Sequence, residues 1–413
     1  MARTAMITEL TLEGFKSFGT PAQTLQLGAL NFVVGANASG KTNLISALRF
    51  LRSSVLQDAE FAVDEFGGLA EVRNKIQRQS VQQKPLMIAF KMDVDAFEVR
   101  IEGQKRYRIR SYDYVVKLDL RSSSGRPEVE SETLTASIQS EEGDESRYSL
   151  KRDRQNVVIK DPVGQGGHSK VKEQRFSVPD QETARLALGV GFFSFPCVVL
   201  RTIVDGWRFY NISPHLARLP CKETPDADLG LSGENLAVIL HKLEQQNGKG
   251  ALDSVVTGLR GAVPGFRNVK TARLPVEGKW AFQILEEKIR GAINPDTASD
   301  GTIRLLSLLV IANWRTEFSS LVAIEEPENG VHPHLSEHIM QILRAAAEDR
   351  QLIVTTHNPA FLDYLEPQEV ILCDKQDGFT KLRRASDVAQ IETFRKHFRL
   401  GELWEQGTLG GIP

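Results

Sequence analysis

Apolar and polar positions alternate along residues 6–34 in strand fashion, and the stretch ends in the apolar run LNFVV. Alternation with period two predicts half-buried strands, and a continuous apolar run predicts a strand covered on both faces. A glycine-rich turn and the helix-like TNLISALRFL follow directly. Residues 86–175 change character: MIAFKMDVDAFEVRI, YRIRSYDYVVKLDL and SETLTASIQS alternate or are β-branched, and polar loops such as RSSSGRPE and SEEGDES separate them. That pattern predicts an antiparallel β lobe.

From about 179 to 290 the pattern turns mostly helical, with QETARLALGV and GENLAVILHKLEQQ as the clearest helices and the glycines of NGKGA ending the second. The stretch ASDGTIRLLSLL at 298–309 opens polar and continues apolar. Ser299, Asp300 and Thr302 can cap a helix there, and Ile303, Leu305, Leu306, Leu308 and Leu309 can bury its body. Two short apolar strands, LVAI at 321–324 and LIVTT at 352–356, flank the helix HLSEHIMQILRAAAED. A strand–helix–strand unit implies a parallel sheet. The chain shows no fixed-period repeat and no apolar heptads sustained over several turns.

The turn after LNFVV carries chemistry. GANASGKT at 35–42 fits G-x-x-x-x-G-K-[ST] between a strand and a helix, which is the context that motif needs. Backbone N–H groups of such a loop and the helix N-terminus form a nest for phosphates. Gly35 and Gly40 permit the tight turn, Lys41 supplies a charge for the terminal phosphates, and the Thr42 hydroxyl is placed to bind Mg²⁺. LVAIEEPENGVHP then sets two carboxylates directly behind an apolar strand. Glu325 takes the position of the acid that holds Mg²⁺ in phosphate-loop proteins, and Glu326 that of a general base polarising the attacking water. His357 ends the next apolar strand, where an imidazole can hydrogen-bond a γ-phosphate. His332, His334 and His338 lie close in sequence, but no cysteine or further helical ligand completes a zinc set, and structural or surface histidines are the better reading.

Composition narrows the setting. The 413 residues suffice for two or three packed domains, and 41% hydrophobic with 25% charged residues is ordinary for a soluble globular protein. A net charge of −2 gives no overall basic field, although KRYRIR, LKRDR, KLRR and RKHFR are local basic clusters. Cys197, Cys221 and Cys373 stand far apart, so neither a disulfide framework nor a zinc ribbon is indicated. The N-terminus lacks an apolar signal core and the longest apolar stretches are too short to span a bilayer. A reduced, cytoplasmic, membrane-free protein is expected.

The combination of LEGFKSF at 12–18, GANASGKTN at 35–43, ASDGTIRLLSLL, LVAIEEPENGVHP and TTHNP at 355–359 resembles the ABC-type ATPase heads of the SMC and RecF families. With the closing LGELWEQGTLGG at 400–411, it is most similar to compact prokaryotic ATPases related to the ATPase part of overcoming-lysogenization-defect (OLD) proteins. The motifs cover both ends of the chain, and the middle, about 60–290, is matched only loosely. The resemblance implies an α/β P-loop fold of ABC-ATPase head type with an inserted antiparallel β lobe and a helical subdomain. Residues 1–60 and 296–413 would form the head, 61–178 the β-rich lobe and 179–295 the mainly helical part.

It also implies ATP and Mg²⁺ as ligands. The nucleotide set is then Lys16, Gly35, Asn37, Ser39, Gly40, Lys41, Thr42, Asn43, Ser299, Gly301 and Asn329. Thr42 and Glu325 are the metal pair, Glu326 the catalytic glutamate and His357 the switch histidine. Glu328, Asn329 and Gly330 become the D-loop, and Ser299 and Gly301 a signature that reaches the γ-phosphate held by a second subunit. Glu325 departs from the usual aspartate by one methylene, and Gln82 and Gln83 are candidates for a Q-loop glutamine by position alone. The expected function is a homodimerising, ATP-hydrolysing switch in DNA repair or anti-phage defence. A separate effector protein and DNA are its candidate partners, with no nuclease activity of its own. A transporter's nucleotide-binding subunit and a non-hydrolysing scaffold or antitoxin are the alternatives.

Overall fold

The computed structural model describes residues 5–76, 84–95, 98–101, 105–120, 125–162, 172–190, 194–224, 228–245, 250–275, 277–316 and 318–410. The Q-loop candidates Gln82 and Gln83 lie outside them. The chain opens with an antiparallel pair, β1 (Ala5–Glu13) and β2 (Gln23–Gln26), in which Leu10 faces Leu25. β3 (Leu30–Val34) follows and is buried along its whole length. The chain then turns through the glycine-rich loop into α1 (Lys41–Leu56). Leu44, Ile45, Leu48, Leu51 and Val55 form the buried stripe of α1 at helical spacing. Two short helices come next, α2 (Ala59–Glu65), capped by the Asp58 carboxylate on the Phe61 N–H at 2.7 Å, and α3 (Leu69–Val72).

The expected antiparallel lobe is present as β4 (Leu86–Val94), β5 (Glu98–Ile101), β6 (Lys105–Asp119), β7 (Glu128–Ser140), β8 (Glu145–Asp153), β9 (Asn156–Asp161) and β10 (Lys172–Ser177). With β1 and β2 they make a nine-stranded sheet in the order β10-β9-β8-β7-β6-β4-β1-β2, and β5 pairs with β6. Alternation explains it: Tyr112, Tyr114, Val116 and Leu118 of β6 and Leu134, Ala136 and Ile138 of β7 are buried, and the residues between them reach solvent.

QETARLALGV, expected as a helix, forms one 3₁₀ turn at Asp180–Glu182 and then non-helical turns. A buried carboxylate competes for its backbone. Glu132 of β7 accepts from the N–H groups of Ala187, at 2.5 Å, and Leu188, at 3.0 Å, and from the Tyr114 hydroxyl at 2.9 Å. Those N–H groups are the donors a helix would need.

Beyond the lobe come α4 (Phe195–Asp205), β11 (Arg208–Tyr210), α5 (Pro214–Ala217), β12 (Cys221–Lys222), α6 (Leu236–Gln245) and α7 (Gly250–Ala262). The segment read as mainly helical also carries β13 (Phe266–Arg273), β14 (Lys279–Glu286) and β15 (Ala292–Ile293), which join β12 in a small antiparallel sheet. The chain then alternates through α8 (Asp300–Asn313), β16 (Leu321–Glu325), α9 (Ser336–Ala346), β17 (Gln351–Thr356) and α10 (Pro359–Leu362). It closes with the hairpin β18 (Val370–Gln376) and β19 (Phe379–Arg384), then α11 (Ile391–Phe394) and α12 (Leu400–Glu405).

The central sheet runs β11-β16-β17-β3-β18-β19, parallel except for its last strand. Its strands feed two cores. Val33, Ala323, Ile353 and Ile371 pack toward α1 and the lobe, and Phe32, Val34, Val322, Ile324, Leu352 and Val354 pack toward α6, α7, α8 and α9. The fold is α/β, with the parallel sheet and the antiparallel lobe that the hydrophobic pattern predicts. No helix among the described residues is long and apolar enough to cross a membrane.

Candidate nucleotide site

The phosphate loop joins β3, in mid-sheet, to α1. Gly40 precedes the helix with φ 113° and no side-chain cap, so the first N–H groups of α1 are left for an external acceptor. The Lys41 ammonium folds back on the loop, donating to the carbonyls of Gly35 at 2.7 Å and Ala36 at 2.9 Å. Burial pushes its pKa below the ordinary lysine value, opposed by Cys373, Glu326 and Glu328. The loop is wedged against the β18–β19 hairpin. A Cβ on Gly35 would stand 2.1 Å from the Cys373 carbonyl, and one on Gly40 would stand 2.0 Å from the Thr380 hydroxyl. Thr380, fully buried, donates to the Ser39 carbonyl at 2.7 Å, and its hydroxyl lies 2.6 Å from that of Ser17. Ser17 accepts from Asn43 at 2.7 Å, so the FKSF segment, the loop and the hairpin share one polar chain.

The two acids follow from the strand geometry. β16 ends at Glu325, which accepts from the Thr42 hydroxyl at 2.8 Å across 283 residues of sequence. Burial raises the Glu325 pKa above the usual carboxylate range; the Thr42 hydrogen bond opposes this and the neighbouring Glu326 adds to it. Glu326 adopts φ 44°, a left-handed conformation uncommon outside glycine. That twist sends its side chain to Asn329, whose amide donates to Oε2, and leaves Oε1 3.4 Å from His357 Nδ1. Glu328 is buried with one oxygen accepting from Thr356 and the other without a partner among the described residues, and burial raises its pKa.

Lys16, at φ 46°, holds its ammonium 5.0 Å from the Phe66 ring centroid and 3.5 Å from the Ser46 hydroxyl. Burial, then the Arg49 charge, lowers its pKa. Beside it a cavity of about 380 Å³ is lined by Lys16, Asn43, Asn74, Lys75, Ile76 and Gly378. Asn37 is exposed on the rim of the loop, and the Ser39 hydroxyl is buried beside the Cys373 thiol.

The predicted residues therefore gather, with one exception. Ser299 and Gly301 sit at the start of α8, where the Ser299 hydroxyl accepts from the Thr302 N–H at 3.1 Å and meets its hydroxyl at 2.8 Å. Asp300 turns to Arg218 at 2.7 Å, and a Cβ on Gly301 would stand 2.8 Å from the Gly330 carbonyl. The turn rests on the Glu328–Gly330 segment, and both bonds of the Ser299 hydroxyl go to Thr302. His332 and His334 face each other with their Nδ1 atoms 2.6 Å apart, and His338 meets the Gly258 carbonyl. Among the described residues no group of three metal-capable side chains forms. Sequence reasoning missed Thr380 and the buried Arg304 of α8; the signal for Arg304 was a charge set within an apolar run.

The donor set suits a nucleotide and a hard divalent cation. A helix N-terminus without a side-chain cap and a buried lysine fit an anion, and a hydroxyl beside a carboxylate fits Mg²⁺. The sequence pattern of the family described as "AAA domain, putative AbiEii toxin, Type IV TA system" matches residues 30–363. The chain belongs to that family.

Among solved structures, an SMC head bound to the C-terminal winged-helix domain of ScpA is 12% identical, with 91% of this chain and 97% of that one covered at a TM-score of 0.50. An SMC head domain from Thermotoga maritima is 14% identical over 92% of this AAA-domain chain and 98% of its own, at a TM-score of 0.39. One from Pyrococcus furiosus, bound to the C-terminal domain of ScpA, is 13% identical over 95% and 100%, at 0.45. The first of these, at 12% identity and a TM-score of 0.50, is a likeness of fold alone. No curated protein matches the chain.

Proposed function

We propose that this protein hydrolyses ATP with Mg²⁺ and closes as a homodimer around two nucleotides, acting as a switch on a separate effector in anti-phage defence or DNA repair. The observation that carries the reading is the pairing of Thr42 with Glu325 at 2.8 Å, beside a second glutamate whose free oxygen faces His357 at 3.4 Å. Thr42 and Glu325 hold Mg²⁺, which when bound neutralises charge on the phosphate oxygens. Lys41 leaves the Gly35 and Ala36 carbonyls to meet the terminal phosphates, and the cavity beside Lys16 takes the base and ribose. Glu326, oriented by Asn329, accepts the proton of the attacking water, and His357 senses the γ-phosphate.

The signature turn of one subunit completes the site of the other. The Ser299 hydroxyl, on giving up its Thr302 partners, and the remaining N–H groups at the start of α8 would donate to an anion from outside the chain. The family's description as a toxin–antitoxin component, and the ScpA domains seated on SMC heads, support an effector partner. The closing LGELWEQGTLGG supports kinship with the ATPase part of OLD proteins. Phosphate release by the purified chain with ATP and Mg²⁺, abolished by Glu326→Gln, tests the reading. A wild type that hydrolyses no ATP above buffer overturns it in favour of a scaffold.

A further inference from the structure

Glu326 is held by its backbone as well as by its side chain. Its N–H donates to the Thr355 carbonyl of β17 at 2.9 Å. Its own carbonyl accepts twice, from the Asn329 N–H at 3.2 Å and from Arg304 Nη1 at 3.3 Å. Those bonds act on a residue in the left-handed region, a conformation that costs of order 1–3 kcal/mol and persists only where the surroundings enforce it. Removing one anchor frees the backbone to relax, and the carboxylate turns with it.

Arg304 is an unusual choice for that anchor. It sits one turn inside α8, 8% exposed, in a helix whose other inward residues are apolar apart from Ser307. A buried guanidinium is costly unless several partners satisfy it, yet its Nε has none among the described residues. Glu328 is the charge that acts on it most strongly, ahead of Asp300 and Glu326, and the Glu328 Oε2 atom is itself buried without a partner among those residues. The other Glu328 oxygen accepts from Thr356, whose hydroxyl also accepts from the Asn358 N–H at 3.0 Å, on either side of His357. Hydrogen bonds therefore join Arg304 to Glu326, and join Glu328 through Thr356 to the His357 strand end, with Arg304 and Glu328 linked by charge alone. The near contact of Gly301 with the Gly330 carbonyl joins the helix start to the Glu328–Gly330 turn.

We infer that Arg304 is a positioning residue that ties the Ser299 turn to the Glu326 carboxylate of its own chain, so that occupation of the partner's site sets the geometry of this one. The inference rests on the ATPase reading above. A shift of α8 as Ser299 meets a second subunit's anion moves the Arg304 guanidinium, and with it one of the three hydrogen bonds that hold the Glu326 backbone. Hydrolysis at the two sites of a dimer is then coupled through Arg304.

The test is steady-state hydrolysis across ATP concentration, with nucleotide binding measured separately by a fluorescent ATP analogue. Arg304→Met is expected to lower kcat about 10- to 100-fold, the range that misplacing a reacting group by about an ångström produces, while analogue affinity stays within about twofold. Its Hill coefficient for ATP falls to one. Arg304→Lys keeps the charge without the planar fork and recovers part of kcat. A wild-type kcat and Hill coefficient in Arg304→Met overturn the inference and leave the ATPase reading standing. If Arg304→Met does not fold, Arg304→Lys decides: wild-type kcat there assigns Arg304 to packing alone, and reduced kcat with binding kept supports the proposal. Absence of hydrolysis in the wild type overturns the ATPase reading itself, and the inference with it.

Discussion

Gly40→Ala should cripple nucleotide binding, for two separable reasons. At φ 113° the backbone lies where an L side chain is strained, which costs of order 1–3 kcal/mol. The new methyl would also stand 2.0 Å from the Thr380 hydroxyl, 2.9 Å from that of Ser17 and 3.0 Å from Thr380 Cγ2. Thr380 cannot swing aside cheaply, because its hydroxyl is tied to the Ser39 carbonyl and to Ser17 in a fully buried setting. Overpacking of this kind costs about 1–3 kcal/mol. The loop conformation with free N–H groups is therefore disfavoured by about 2–6 kcal/mol, which weakens an anion ligand by at least ~30-fold. Titration of a fluorescent ATP analogue with Mg²⁺ reads the loss, and thermal melting shows that the fold survives. Thr380→Ala removes the closest obstacle, leaving the Ser17 hydroxyl at 2.9 Å and the backbone strain. The double variant should thus bind more tightly than the sum of the two single losses predicts, by about 1–3 kcal/mol of coupling. Wild-type affinity in Gly40→Ala, or simple additivity in the pair, refutes the account of how the hairpin shapes the loop.

Glu326→Gln should lower kcat about 10²- to 10⁴-fold, the share of a general base, while sizing with ATP and Mg²⁺ shows a persistent dimer. Ser299→Arg should leave analogue binding largely intact and remove ATP-driven dimerisation and hydrolysis, read by the same sizing and by phosphate release. Glu132→Gln should cost about 1–3 kcal/mol in chemical denaturation, because it presents an amide where two backbone N–H groups need an acceptor. Burial raises the Glu132 pKa, so its ionised form is penalised in the fold. Its favourable contribution is complete below the ordinary carboxylate pKa and fades as pH rises through the raised value. Melting temperature should therefore fall on that rise in the wild type and less so in Glu132→Gln.

The features that sequence made readable are those whose causes are local. The phosphate loop needs glycines and a lysine at fixed spacing, and β6 and β7 need only alternation. The QETARLALGV helix failed because its N–H groups answer to a carboxylate more than fifty residues away, which no window of sequence contains. The small sheet went unread because β12 and β15 are two residues each and β13, FRNVKTAR, has too many polar side chains to show a period. Thr380 was invisible for the same reason of distance, its bond to the Ser39 carbonyl closing 341 residues of chain.

Arg304 is the more instructive case. The run ASDGTIRLLSLL reads as a capped core helix, and in the structure Ser299 does cap it. A helix needed only for packing has no use for a guanidinium on its buried side, where an apolar residue of similar size would be at least as stable. Sequence can therefore flag the residue as a conflict between local pattern and charge. What it could not supply is the partner: a carbonyl 22 residues away, on a glutamate whose backbone is itself in an uncommon conformation. Two local irregularities, an arginine out of pattern and a left-handed glutamate, explain each other once the fold brings them together. That mutual explanation is what supports the inference that α8, rather than the phosphate loop, sets the geometry of Glu326.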